Sequence, residues 1–98
     1  MMPASLDHRR GDLALQLDLV DEAEGHYRTG LDWTEREGCF VEAGRCLHGL
    51  ARVAKRRGRQ DEALQHLDRA AGIFEQHGAH LYLDQVRSQR DSLVAEEV

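Results

Sequence analysis

A shift of 40 residues lays this chain upon itself. Asp21-Glu22-Ala23 falls on Asp61-Glu62-Ala63, His26 on His66, Glu35 on Glu75 and Gly38 on Gly78; farther back, Ala14 meets Ala54 and His8 meets His48. A period of roughly 20–50 residues marks a repeat architecture, in which each unit is a supersecondary element that needs a neighbour to bury its apolar face. The chain's 98 residues hold two such units and a remainder, within the size of one domain. A chain this short buries only about 60–65% of its unfolded surface, so the core is expected to be thin.

The units read as helix pairs. Apolar residues make up 41% of the chain and charged residues 32%, with a single Pro, a mixture that suits solvated amphipathic helices and suits sheet or disorder poorly. Ala43, Leu47, Leu50, Ala51 and Ala54 form one stripe at the helical period, ending near Gly58. Asp61 and Glu62 suit the positive end of a new helix, whose stripe is Ala63, Leu67, Ala70, Ala71 and Phe74 and which closes at Gly78. The first unit places Leu6, Leu13, Ala14 and Leu17 on one helix, a turn at 18–20, then Ala23, Tyr27, Gly30, Leu31 and Thr34 on the next, up to Gly38. A last helix, about 79–95, carries Tyr82, Leu83, Val86 and Leu93, with Asp84, Arg87, Arg90 and Asp91 polar as in a terminal element. Five helices are predicted, with a core of Leu13, Ala23, Tyr27, Leu47, Leu50, Ala54, Leu67, Ala70 and Phe74. Trp33 lies a quarter turn or more off its stripe and reads as a core-edge residue or an exposed aromatic contact.

These residues resemble a tetratricopeptide repeat, whose pattern is W-x2-L-G-x2-Y, then A-x3-F, then P. The second unit supplies Leu47-x2-Leu50-Ala51-x2-Ala54, then Ala63-x3-Leu67 and Ala70; the first supplies Gly11-x2-Ala14, then Ala23-x3-Tyr27 and Gly30. The resemblance implies an all-α single domain over 1–98, a right-handed superhelix of antiparallel helix-turn-helix repeats. Repeat 1 would span about 4–38, repeat 2 about 41–78, and a capping helix about 79–95. Gly11, Ala23, Ala51, Ala63 and Ala70 would sit where helix backbones cross, and close approach would also explain Gly30, which costs a helix about 1 kcal/mol relative to Ala. The chain departs from the family in its 40-residue period against 34, in Glu35 and Glu75 at the Pro position, and in Asp7 and Arg10 where apolar residues belong. Longer, degenerate repeats of this kind are similar to those in helical regions of large bacterial regulators.

Charge suggests where such a module would act. The net charge is −5, yet residues 43–60 contain no acid and carry Arg45, Arg52, Lys55, Arg56, Arg57 and Arg59, leaving −11 for the remainder. The resemblance implies a concave groove lined by the first helix of each pair and holding an extended peptide. In the second unit its residues would be Arg45, His48, Gly49, Arg52, Lys55 and Arg56, and in the first Ser5, His8, Asp12, Leu15 and Gln16. Arg45, Arg52, Arg56 and Arg59 share a face by their spacing, which is either a merely solvated face or a grip for an acidic ligand. The Lys and Asn of the family's chaperone-binding carboxylate clamp are replaced here by His8, Asp12 and Gly49, so that specific activity is not expected. The local Glu96-Glu97-Val98 end is itself an acidic ligand candidate. Bulk at Gly49 is expected to block a peptide backbone, so Gly49→Leu should abolish binding and spare the fold.

The reading is therefore a protein or acidic-peptide binding scaffold, with nucleic-acid binding on the same basic face as the alternative. Net negative charge, Arg residues without interleaved aromatics and the lack of a recognised motif count against nucleic acid. No phosphate loop, nucleophile elbow or paired-carboxylate arrangement supports an enzyme, and no cofactor is expected. His66, His77 and His80 lack a metal-ligand spacing. No apolar run reaches the roughly 18–20 residues of a membrane span, and the first ten residues lack a signal peptide's apolar stretch, which points to the cytosol. Cys39 and Cys46, about 10 Å apart on one helix, read as reduced. Two repeats fall short of the three or so that usually make a stable stack, so the chain is expected to belong to a longer array or to form a homodimer through the weak first helix with Leu19, Val20 and Trp33 nearby.

Overall fold

Four turns at a fixed interval of 20 residues set the architecture. In the computed structural model, which describes residues 5–96, Asp18, Gly38, Gly58 and Gly78 take positive φ angles of 61°, 75°, 74° and 68°. The residue after each donates its N–H to the carbonyl five residues back: Leu19 to Ala14 (2.8 Å), Cys39 to Thr34 (2.9 Å), Arg59 to Ala54 (2.9 Å) and Ala79 to Phe74 (2.8 Å). This left-handed closure satisfies carbonyls at a helix end and reverses the chain within a few residues. Between the turns run α1 (Ser5–Gln16), α2 (Val20–Glu37), α3 (Phe40–Arg56), α4 (Gln60–Gln76) and α5 (His80–Glu96). The first turns of α2 and α4 carry Asp21, Glu22, Asp61 and Glu62, acids that suit the positive end of the helix dipole in the absence of side-chain caps.

Each helix packs on the next, and α1 also reaches α3, giving a slab of 46 × 31 × 18 Å, about two helix diameters thick. The repeat is visible in the burial itself. On α2 the buried positions are Ala23, Tyr27, Gly30 and Thr34; on α4 they are Ala63, Leu67, Ala70 and Phe74, the same four positions 40 residues on. Helix α3 lies in the middle and is buried on two sides. Ala51, Ala63 and Ala70 have no exposed surface, and a Cβ on Gly30 would stand 2.8 Å from Asp7 Cβ and 2.9 Å from Cys46 Sγ, so the small residues do permit close crossings. Gly44 gives Phe74 the same freedom, and Phe74 in turn packs on Tyr82 with ring centroids 5.5 Å apart.

One core assignment is corrected. Leu13 is 58% exposed and Leu17 63%, while Ala14 and Leu15 are buried. The cause lies in the repeat: Val53, 40 residues after Leu13, is buried in one cluster with Ala23 and Tyr27 of α2, whereas no described helix precedes α1. The other eight predicted core residues are buried. Trp33 is half-buried. Cys39 and Cys46 are both free, the first exposed and the second buried. The predicted positions Ser5 and Leu6 lie outside the described side chains, and Glu97 and Val98 outside the described residues.

Candidate functional site

Odd-numbered helices line one face. A recess of about 450 Å³ is walled by Asp12, Leu15 and Gln16 of α1, Arg52, Lys55 and Arg56 of α3, and Gln89 of α5. A smaller one of about 170 Å³ is lined by His8 and Asp12, Arg45, His48 and Arg52, and Tyr82 and Gln85, with Phe74 behind. Asp12 and Arg52 line both recesses. They are equivalent positions 40 residues apart, and Arg52 Nη2 donates to Asp12 Oδ1 at 2.7 Å. Under them, the fully buried Tyr27 donates its hydroxyl to the same oxygen.

Of the residues predicted on α3, five line these recesses and one does not. Gly49 is buried against the Tyr27 ring, beside Gly11 from α1. The expectation that Gly49→Leu spares the fold is therefore withdrawn, because any side chain there meets the ring before it meets a ligand. From α1, His8 and Leu15 line the recesses but are themselves buried, at 3% and 4% exposure; Asp12 is half-buried and Gln16 exposed. Sequence reasoning missed Tyr82, Gln85 and Gln89, having read α5 only as a cap. The signal was present for Gln85, which a shift of 40 residues places on Arg45; Gln89 falls on Gly49 and Tyr82 on Glu42, which line neither recess.

The basic stretch is neutralised within the molecule. Arg45 contacts Glu42 at 3.5 Å and lies over the Tyr82 ring at 4.8 Å. Lys55 reaches Glu96 at 3.5 Å, and Arg56 binds Asp18 at 3.1 Å and the Leu15 carbonyl at 3.2 Å. Arg57 spans Glu24 (2.8 Å) and Asp21, and Arg59 approaches Glu62 at 3.7 Å. Exposed pairs of this kind are worth about 0–1 kcal/mol each, so a ligand can exchange with them at small cost. Burial holds the pKa of His48 below the ordinary 6.5, aided by Arg52 and opposed by its 2.6 Å hydrogen bond with Gln89 and by Asp12. Burial is also the leading cause that lowers His8, with Arg45 next, against Glu42 and Asp12. Among the described residues no group of three His, Cys, Asp or Glu side chains is placed to hold a metal ion, and no helix is long and apolar enough to cross a membrane.

A family model for the tetratricopeptide repeat matches residues 3–76. The chain belongs to the tetratricopeptide repeat family. The match takes in α1 to α4 and ends where α4 ends, so α5 stands beyond the family pattern while continuing its geometry. Repeats of this family generally mediate protein–protein interaction or scaffolding, typically without catalysis. Neither a curated protein nor a solved structure matches the chain significantly.

Proposed function

We propose that this repeat protein is an interaction module holding an extended peptide segment of a partner along the face formed by α1, α3 and α5. The observation that carries this reading is the 450 Å³ recess, to which all three helices contribute and which opens between Arg52, Lys55 and Arg56 on one side and Asp12 and Gln16 on the other. Leu15 supplies an apolar floor, and Gln16 and Gln89 supply amide groups of the kind that satisfy a peptide backbone. Acidic segments suit it best, because a carboxylate can take over Lys55 or Arg56 from Glu96 or Asp18. Duplex nucleic acid suits it less, since the chain carries a net charge of −5 and a long polyanion must face those acids as well as the cations.

Binding to an array of short peptides tests the reading. Lys55 and Arg56 are exposed, so Lys55→Glu with Arg56→Glu should leave helix content unchanged and remove the binding of acidic peptides. Peptide binding untouched by that pair of substitutions would place the site elsewhere. The same proposal includes self-association through α1 and the turn after it, where Leu13, Leu17 and Leu19 are 58%, 63% and 42% exposed, whereas Val53, one repeat after Leu13, is buried with Ala23 and Tyr27 of α2. Sedimentation at increasing concentration should show a dimer that Leu13→Gln with Leu17→Gln dissolves; a monomer throughout rejects it.

A further inference from the structure

The two edges of the slab differ, and the repeat measures the difference. On α3, Gly44, Leu47 and Ala51 are buried toward α4, Gly44 under Phe74 and the other two in one cluster with Ala63, Leu67 and Ala70. A shift of 40 residues brings Asp84, Arg87 and Asp91 of α5 to those positions, and all three are exposed. The α5 edge is therefore charged where α3 is apolar. The α1 edge is the reverse. Arg9, Arg10, Leu13, Gln16 and Leu17 are exposed, and their spacing puts them on one face of the helix, turned away from the buried Gly11, Ala14 and Leu15. Apolar surface rimmed by polar groups marks an interaction site. Copies joined α5 to α1 would press charge against leucine, whereas an edge that pairs with itself forms a closed two-fold dimer. Charge along the α1 edge is also ordered. Arg9 and Arg10 lie at its N-terminal end; past its C-terminal end come Asp18, whose side chain is 83% exposed beside Arg56, and the exposed Glu22.

We propose that the partner on this edge is a second copy of the chain with its α1 antiparallel to the first, so that Arg9 and Arg10 of each protomer meet Asp18 and Glu22 of the other. The proposal rests on the self-association and the groove advanced above and gives them one geometry. Where two antiparallel helices meet at Leu13, position 17 of one lies opposite position 9 of the other, about 6 Å along the axis from the centre, and the arginine side chains reach on to the carboxylates. A parallel pair sets arginine against arginine and carboxylate against carboxylate. The direction of pairing also decides where the grooves face. The two-fold axis lies across the line joining the copies; antiparallel helices require it to stand normal to the groove face, and parallel helices require it to run along them. In the antiparallel dimer both 450 Å³ recesses therefore open on the same side, with α5, α3 and α1 of one protomer continued by α1, α3 and α5 of its partner. Such a surface fits a partner protein that presents two acidic segments related by a two-fold axis, each held weakly alone and tightly together.

Sedimentation equilibrium of the whole chain at low ionic strength tests the arrangement. Arg9→Glu with Arg10→Glu turns attraction into repulsion in the antiparallel dimer and should weaken it roughly tenfold or more, a loss that shrinks as salt is raised. Adding Glu22→Lys to that variant should recover most of the loss, and circular dichroism should show unchanged helix content in both. A parallel dimer keeps like charges together in every variant. A dimer indifferent to these changes, or one lost without recovery, therefore overturns the arrangement and leaves self-association standing; a monomer at every concentration overturns both. The shared side of the grooves is read with acetylated hexaglutamate amide, alone and as two copies joined by a flexible Gly-Ser linker. The joined form should bind the unaltered chain about tenfold or more tighter than the single form, and Arg9→Glu with Arg10→Glu should erase that advantage. Equal binding of the two forms by the dimer overturns the same-side geometry. Failure of both forms to bind sinks the groove reading alone, since the charge variants still decide how the copies pair.

Discussion

Gly49 on α3 leaves the space that the Tyr27 ring of α2 fills, since a Cβ there would overlap Cε1, Cζ and Cδ1 together. Gly11 on α1 closes the same ring edge, with a Cβ position 2.5 Å from Cε1. The ring is thus wedged where three helices meet, with its hydroxyl fixed by Asp12, and it cannot retreat. Gly49→Ala should therefore cost about 1–3 kcal/mol, as overpacking of a filled core does. In a chain of this size that lowers the melting temperature by roughly 4–8 °C per kcal/mol. Gly25→Ala is the control. It lies exposed in mid-helix with nothing within 4 Å of its Cβ position, and should gain about 1 kcal/mol of helix propensity. Equal melting of the two variants would contradict the packing around Tyr27.

Leu50 and Leu13 separate the real core from the apparent one. Leu50 is 2% exposed among Ala14, Leu15, Ala23, Tyr27 and Val53, so Leu50→Ala should cost about 2–4 kcal/mol. Leu13, with more than half its surface exposed, should lose no more than about 0.5 kcal/mol on the same change when the chain is monomeric. Urea denaturation at low protein concentration measures both.

The contrast shows what the sequence could and could not convey. Turns were legible because three of the four left-handed positions are Gly at an interval of 20, and the fourth, Asp18, fell within the predicted turn. The stripes of α2, α3 and α4 were legible because each has neighbours on both sides, so apolar residues and buried residues coincide. On α1 they do not coincide: Leu13 looks like core because its repeat equivalent Val53 is core, but no described helix packs over Leu13 as α2 does over Val53. The groove was half legible. A shift of 40 residues located the α3 wall, but ion pairs such as Arg57 with Asp21 and Glu24, or Arg52 with Asp12, join residues from different helices and follow from packing that periodicity does not encode.

Stability should peak in a window set by groups that the fold keeps from ionising. His8, His48 and His66 are all lowered from 6.5, with burial the largest cause in each. The unfolded chain then binds protons near 6.5 that the folded chain refuses, so stability is full above that pH and declines as pH falls through the lowered values. Glu24, held below its ordinary 4.5 chiefly by the Arg57 hydrogen bond, extends the loss into acid. On the other side, burial pushes the Cys46 thiol from 9.0 up to about 12 and raises Tyr27 above 10.0, aided by Asp12. The unfolded chain releases those protons from about pH 9, so stability falls again as pH rises past it. Urea midpoints between pH 5 and 10 should be highest at about 7 to 8.5. A midpoint still rising below pH 6 would contradict the buried state of the histidines.

Nucleic acid offers the sharpest check on the paired cations. A duplex binds by replacing counterions, and the salt slope is about −0.9 for each phosphate neutralised. Arg52, Lys55, Arg56 and Arg57 already hold Asp12, Glu96, Asp18 and Asp21 with Glu24, so a phosphate must displace a carboxylate and gains little. A labelled duplex of about 20 base pairs should not shift at about 150 mM salt. The argument also runs in reverse. Asp18 and Asp21 are 83% and 98% exposed at their side chains, so Asp18→Asn with Asp21→Asn and Glu96→Gln frees Lys55, Arg56 and part of Arg57 without touching the core. That variant should acquire weak, sequence-independent duplex binding with a slope of about −2 to −3. Binding by the unaltered chain with the same slope would mean that the pairs do not form in solution, and would return the face of α3 to the nucleic-acid reading.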